Sequence, residues 1–220
     1  MVAFVLAGRW QLHRAVEKEN LLAQSANVLR ERLPQPLSQL SREPSASLAW
    51  ASGRGRFLTG PALLLDNQRR GAAVGVVVYR VFQPDDGLPL LAELGWLPLP
   101  PDRTLPQVPA IDGVFELQGL LLPPPSAGLA LGPSFVETSP DRWLLTRMDV
   151  ADLSGALKQP LSPRVLRPDP AIRIGYARSL DALPNTLPPE RHRGYAVQWF
   201  GLALATLAFA LFLQFRTRRP

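Results

Sequence analysis

The sequence predicts an α+β membrane protein. Its centre is a small antiparallel β-sheet or partly open β-barrel domain, held between an N-terminal helix whose membrane part is cut short and a C-terminal transmembrane helix. Three observations predict this. Residues 195–215 are an apolar run without a single charge, with Arg191 and Arg193 before it and Arg216, Arg218 and Arg219 after it. Residues 10–32 are dominated by the helix formers Ala, Leu, Glu, Arg and Gln. Between the two, short runs of β-branched and aromatic residues alternate with Gly and Pro, and the proline content, 24 in 220 residues, is concentrated between positions 84 and 190. Stiff loops joining short strands account for that composition better than a helical bundle does.

The first eight residues are apolar, too few to span a bilayer, and lack the basic start and cleavage site of a signal peptide. They run into the helix of residues 10–32, with Leu21, Leu22, Val28 and Leu29 as a partial apolar stripe and Pro34 and Pro36 as its stop. A helix that begins greasy and turns charged reads as the outer end of a membrane span, its inner part expected upstream of Met1. The first 33 residues form this segment, and residues 38–189 are expected to form the β-rich domain. Within it, residues 38–46 read as a polar linker. Residues 48–60 read as extended, with Gly53 and Gly55 as bulge points. Residues 62–66 are a short apolar run and 67–71 a turn. The clearest strand is residues 75–82, which Asp85, Asp86 and Gly87 turn back into a return strand over 90–97, an antiparallel hairpin. Strands follow over 113–122 and 142–146, separated by a loop over 123–133. Asp149 is placed to cap a short helix ending at Leu157. Residues 160–167 read as a last strand, and 173–189 as a linker.

The final run, 21 residues from Tyr195 to Phe215, would be roughly 32 Å long as a helix, close to the thickness of a hydrocarbon core. Only a helix lets one segment satisfy its own backbone in lipid. The transmembrane helix is placed at 194–215 and a cytoplasmic basic tail at 216–220. Tyr195 and Trp199 lie four apart on one face, as interfacial anchors do. Arginine is denser after the helix than before it, which favours a cytoplasmic C-terminus and a domain outside.

The net charge is +6, yet the basic residues, all arginine except Lys18 and Lys158, are scattered. No basic block is interleaved with aromatics, so nucleic acid is not an expected partner. Without cysteine there is no disulfide, no thiolate copper site and no covalent c-type haem attachment. His13 and His192 are the two histidines, too few for a His-rich zinc site. No Gly-x-Ser-x-Gly elbow or phosphate-cradling loop is present, and Asp85 and Asp86 sit in a turn. The chain is not expected to be an enzyme.

Two end motifs together carry a resemblance. Gly8, Arg9, Trp10, Gln11 and Leu12, followed by Arg14, Lys18 and Leu21, resemble the opening signature of the Surfeit locus protein 1 family of cytochrome c oxidase assembly factors. His192, Tyr195, Ala196, Trp199 and Phe200 resemble its closing signature. Weaker echoes stand between them in the family's order: Gly55-Arg56-Phe57, Leu65-Asp66-Asn67, Gly87, Gly95-Trp96-Leu97-Pro98, then Pro140, Trp143 and Asp149. The family's usual Asn-Arg before the Gly-Trp pair is replaced here by Glu93 and Leu94.

The resemblance implies a multi-pass membrane protein whose domain sits outside the bacterial inner membrane or in the mitochondrial intermembrane space; the bacterial inner membrane, with the domain on the periplasmic side, is the placement expected here. The resemblance also implies help in maturing the haem-bearing core subunit of cytochrome c oxidase, alongside other assembly factors and in contact with membrane lipid. Haem a is the implied cofactor. A neutral imidazole is a common axial ligand of haem iron, which makes His192, at the mouth of the last helix, the candidate metal ligand. If a first helix ran antiparallel to it, His13 would emerge at the same level. Tyr195, Trp199, Trp10 and Arg14 complete the candidate cofactor site, with the Trp rings also serving as membrane-belt anchors. The other reading is a cofactor-free membrane scaffold that docks an oxidase or other membrane-complex subunit through the β-rich domain.

Overall fold

A computed structural model of the chain describes residues 1–43, 47–125, 132–183 and 186–217. The end of the expected polar linker, most of the loop over 123–133 and the tip of the basic tail lie outside the described residues. The chain divides into two compact units: Met1–Gln24 with Ala182–Pro220, and Ser25–Asp181.

Helix α1 (Val2–Glu31), whose residues as far as Gln24 belong to the first unit, begins within the apolar N-terminal stretch and continues into the charged segment without a break. It ends at Glu31, three residues short of Pro34, and the next residue, Arg32, adopts a positive φ of 45°. The other helix of this unit, the last in the chain, covers Pro189–Thr217. It is described with the site below.

The second unit is the β-rich domain. A two-residue strand β1 (Gln35–Pro36) leads into a single helical turn α2 (Leu37–Leu40) whose Leu37 and Leu40 are buried, so this segment is not simply a polar linker. The long strands are β2 (Ala49–Phe57), β3 (Ala62–Arg70), β4 (Ala73–Pro84), β5 (Leu90–Pro98) and β6 (Val114–Leu122). Shorter ones follow: β7 (Phe135–Ser139), β8 (Arg142–Leu145), the helix α3 (Val150–Ala156) and β9 (Val165–Pro168), before α4 (Pro189–Thr217).

The strand order is β1-β2-β6-β9-β5-β4-β3-β8-β7, with a further pairing of β2 to β4. That extra pairing closes a ring of five strands, β2-β6-β9-β5-β4. Closure is possible because β4 is long. Along one edge its first half pairs with β3 (Ala73 to Tyr79) and its end, Phe82 to Pro84, pairs with Phe57 to Gly55 of β2. Its other edge carries β5. The partly open barrel expected from the sequence is therefore present, with β3, β8 and β7 as a flap off one side. The sheet is mixed, which corrects the antiparallel expectation: β1–β2, β3–β8 and β5–β9 are parallel. Each of those parallel neighbours is joined by a crossover rather than a hairpin, as parallel pairing requires.

Period-two alternation distributes the apolar residues to two cores. One face of the sheet buries Ala51, Phe57, Leu64, Val78, Phe82, Leu90, Leu94, Leu117 and Leu121. The opposite face buries Leu63, Leu65, Tyr79, Val81, Leu91, Trp143 and Leu145 against Met148 and Leu153 of the α3 region. Asp149 caps α3 as expected, accepting the Asp152 N–H at 3.1 Å. The hairpin of β4 and β5 also forms as expected, with Gly87 at φ 122°.

Three strand boundaries differ from expectation. Residues 67–70 are not a turn but the continuation of β3 past an irregularity between Leu65 and Gln68, where Asn67 takes a φ of 56° and its N–H bonds the Asp66 carboxylate at 2.6 Å. Gly53 and Gly55 are not bulge points in the unbroken β2–β6 ladder. They are close approaches: a Cβ on Gly55 would lie 2.2 Å from the backbone oxygen of Gln83, at the seam that closes the ring. The last strand is shorter than 160–167 because Pro160 and Pro163 have no N–H to give a ladder.

Candidate functional site

The α4 helix contains the span Pro189–Arg216, long and apolar enough to cross a membrane. Many of its large apolar side chains, including Leu204, Phe209, Phe212 and Phe215, are exposed rather than packed in a core. Its first turns pack against α1. The residues that meet α1 or are buried fall at positions 189, 192, 193, 196, 199, 200 and 203, one face at helical spacing. Ala196 and Ala203 are small and buried there. On α1, Gly8 supplies the room for Phe200: a Cβ at Gly8 would sit 2.7 Å from the Phe200 ring. Phe4 stacks on Trp199 with ring centroids 5.8 Å apart. Arg193 pairs with Glu19 at 2.8 Å, and the Lys18 ammonium donates to the Leu187 carbonyl. Burial and the nearby Arg14 hold the Lys18 pKa below its ordinary value.

His192 lies in the first turn of α4 and is 6% exposed. Its Nδ1 stands 2.6 Å from Oε1 of Gln11. An amide oxygen only accepts, so in the neutral ring the proton sits on Nδ1 and the lone pair on Nε2. Nε2 is buried and has no hydrogen-bond partner among the described residues. An orphaned acceptor of this kind is uncommon in a folded protein and calls for an explanation.

The remaining candidate residues are distributed unevenly. Trp199 is part of the packed face through Phe4. Tyr195 is 39% exposed and Trp10 56% exposed, both compatible with a place at the membrane interface and neither engaged with His192. Arg14 bonds Glu17 at 2.7 Å. His13 does not join His192. It is two residues beyond Gln11, about 200° round the helix, its side chain is largely exposed, and its Nε2 faces Glu17 at 3.1 Å. The paired imidazoles expected from the sequence are thus replaced by one imidazole and one amide. Gln11 stood inside the N-terminal motif, and its spacing from Gly8 on the helix, three residues, was the signal that it shares the packed face.

The β-rich domain has its own polar interior. Arg167 of β9 donates from Nε to Oε2 of Glu93 in β5 at 3.0 Å, its Nη2 stands 2.9 Å from the same oxygen as an ion pair, and Tyr79 of β4 reaches that oxygen at 3.4 Å. Burial first, then the adjacent Glu93 carboxylate, pushes the Tyr79 hydroxyl well above the usual phenol range, with Arg167 opposing. Arg178 gathers the carbonyls of Leu94, Ile172 and Ile174. Arg80 holds those of Gly60, Val108 and Pro109 at 2.9–3.2 Å and lines a cavity of about 450 Å³ with Phe57, Gln107 and Ile111. These arginines tie loops to the barrel. Among the described residues no group of three His, Cys, Asp or Glu side chains is placed to hold a metal ion.

A family model described as the SURF1 family matches residues 1–204, which takes in both helices of the first unit, as far as Leu204 of α4, and the whole β-rich domain. The chain belongs to the SURF1 family. No curated protein matches it. The SURF1 family serves cytochrome oxidase assembly, is membrane-associated, and is a family of assembly factors rather than of catalysts. Both end motifs that carry the family resemblance meet in one place, since Gly8 and Gln11 contact Phe200 and His192.

Proposed function

We propose that this chain spans the bacterial inner membrane, exposes its β-rich domain on the periplasmic side, and holds haem a for the core subunit of cytochrome c oxidase through His192. The observation that supports the reading is the buried Nε2 of His192, an imidazole lone pair with no partner among the described residues, at the mouth of the apolar helix α4. The donor chemistry fits: neutral imidazole is a ligand haem iron accepts readily. His192 would hold the iron, while Trp199 and Tyr195 would offer apolar surface and Arg14 the cation for a propionate, in competition with its present partner Glu17. Haem bound here supplies the redox centre that the core subunit later uses, and nothing is turned over on this chain. Because Nε2 is shielded, ligation requires the side chains over it to move, so the haem-free protein keeps the site closed.

The cofactor-free scaffold remains a second reading, favoured by one observation. Among the described residues strand β7 ends the sheet, paired only to β8, with Val136 half exposed, an edge that a partner strand could join. Complementation of a strain lacking this protein separates the two. The haem reading expects a His192→Ala chain that is made and inserted normally but leaves the core subunit poor in haem a. Full restoration of oxidase by His192→Ala would favour the scaffold.

A further inference from the structure

We propose that Gln11 is a positioning residue for His192: its side-chain oxygen fixes the imidazole as the Nδ1–H tautomer and thereby keeps the Nε2 lone pair free for the iron of a haem. The inference rests on the haem reading above for its purpose, but its first half concerns the haem-free protein and stands on geometry alone. The Gln11 Oε1 to His192 Nδ1 distance is 2.6 Å, short for a nitrogen donor, and both groups are held by rigid elements. Gln11 is one helical turn from Gly8, whose contact with Phe200 fixes how closely α1 approaches α4. His192 is one turn before the buried Ala196 and two turns before Trp199, which Phe4 covers.

Imidazole has two tautomers of similar energy, and a metal takes only a nitrogen without hydrogen. A residue that accepts from one ring nitrogen makes the other the ligand, orients the ring, and raises the basicity of the ligating atom. Partners of this kind usually contribute 10- to 100-fold to metal affinity. Gln11 is the one side chain bonded to either nitrogen of His192 among the described residues. His13, the histidine that sequence alone would pair with it, is engaged with Glu17 instead. The arrangement is thus a single ligand with an amide brace.

The test uses the full chain in detergent micelles, in four forms: unaltered, Gln11→Leu, Gln11→Glu and His192→Ala. In the haem-free, ¹⁵N-histidine-labelled protein, the unaltered chain should show Nδ1 protonated and Nε2 bare at neutral pH, and Gln11→Leu a mixture of tautomers. Finding the proton on Nε2 in the unaltered chain overturns the proposal, whatever haem does. On titration with iron protoporphyrin IX, Gln11→Leu should bind about 10- to 100-fold more weakly. Gln11→Glu, a stronger acceptor, should restore affinity, raise the iron–histidine stretching frequency and lower the haem potential. A merely structural role would leave frequency and potential unmoved, and equal values in all Gln11 forms would overturn the proposal while the haem reading stood. Haem binding that is unchanged in His192→Ala would instead remove the haem reading, and the labelled spectra would still decide whether Gln11 sets the tautomer.

Discussion

Replacement of Glu93 by leucine should destabilise the β-rich domain more than any loss of packing volume would suggest. The Arg167 side chain is only 4% exposed and that of Glu93 9%. A hydrogen bond of 3.0 Å from Arg167 Nε and an ion-pair contact of 2.9 Å from its Nη2 join them. Leucine fills similar space but leaves Arg167 buried with a backbone carbonyl, that of Asp181, in place of its carboxylate. Removing one member of a buried ion pair costs about 3–5 kcal/mol. For a domain of this size each kcal/mol lowers the melting point by about 2–4 °C, so the midpoint should fall by about 6–20 °C. Replacing both partners, Glu93→Leu with Arg167→Met, should recover most of the loss, because two apolar groups leave no charge stranded. Thermal unfolding of the detergent-solubilised protein by circular dichroism measures all three forms. A Glu93→Leu midpoint within about 2 °C of the unaltered protein, or a double variant as unstable as the sum of its singles, would refute this reasoning.

Three further outcomes are expected. Gly55→Ala should weaken the ring closure by about 1–3 kcal/mol or more, since its Cβ would press on a backbone oxygen that cannot yield; hydrogen exchange should rise at the β2–β4 seam, and unchanged exchange would count against the closure. Gly8→Val should loosen the helix pair by clashing with the Phe200 ring, and Phe200→Ala should relieve it, a coupling visible in a double-mutant cycle of thermal stability; additive losses would place Phe200 elsewhere. Tyr79 has a raised folded pKa, so its contribution is complete below the ordinary phenol value near 10 and is lost as pH climbs towards the folded value, at up to about 1.4 kcal/mol per pH unit. Absorbance titration should therefore show one of the three tyrosines ionising only on unfolding, and three ordinary phenols would contradict its burial.

The elements readable in advance were those whose signals are local. An uncharged run of 21 residues has few alternatives to one long helix, and the Asp-Asp-Gly turn between two apolar runs has few alternatives to a hairpin. What escaped was non-local. Ring closure depends on Gly55 meeting Gln83 across 28 positions, and no periodicity announces it. Strand β7 is five residues of mixed polarity, three of them exposed, so it carries no apolar alternation to detect. The parallel pairing of β5 with β9 depends on what lies between them in space rather than on either segment. The arginines were also misleading in bulk. Scattered along the sequence without a block, several prove to be interior ties: Arg80, Arg164 and Arg167 are nearly inaccessible, and a fork of planar donors can serve several carbonyls at once where lysine could not. At the candidate site His192 was legible from the C-terminal motif. Its neighbour was not, because His13 is the chemically conspicuous residue and Gln11 the one on the packed face.

The absorption spectrum of the full-length protein, isolated in detergent from cells that make haem a, bears most directly on His192. A Soret band in the unaltered protein that disappears in His192→Ala, with both chains equally folded, is the expected result. A band of equal position and intensity in both would contradict the assignment of His192 as the iron's ligand.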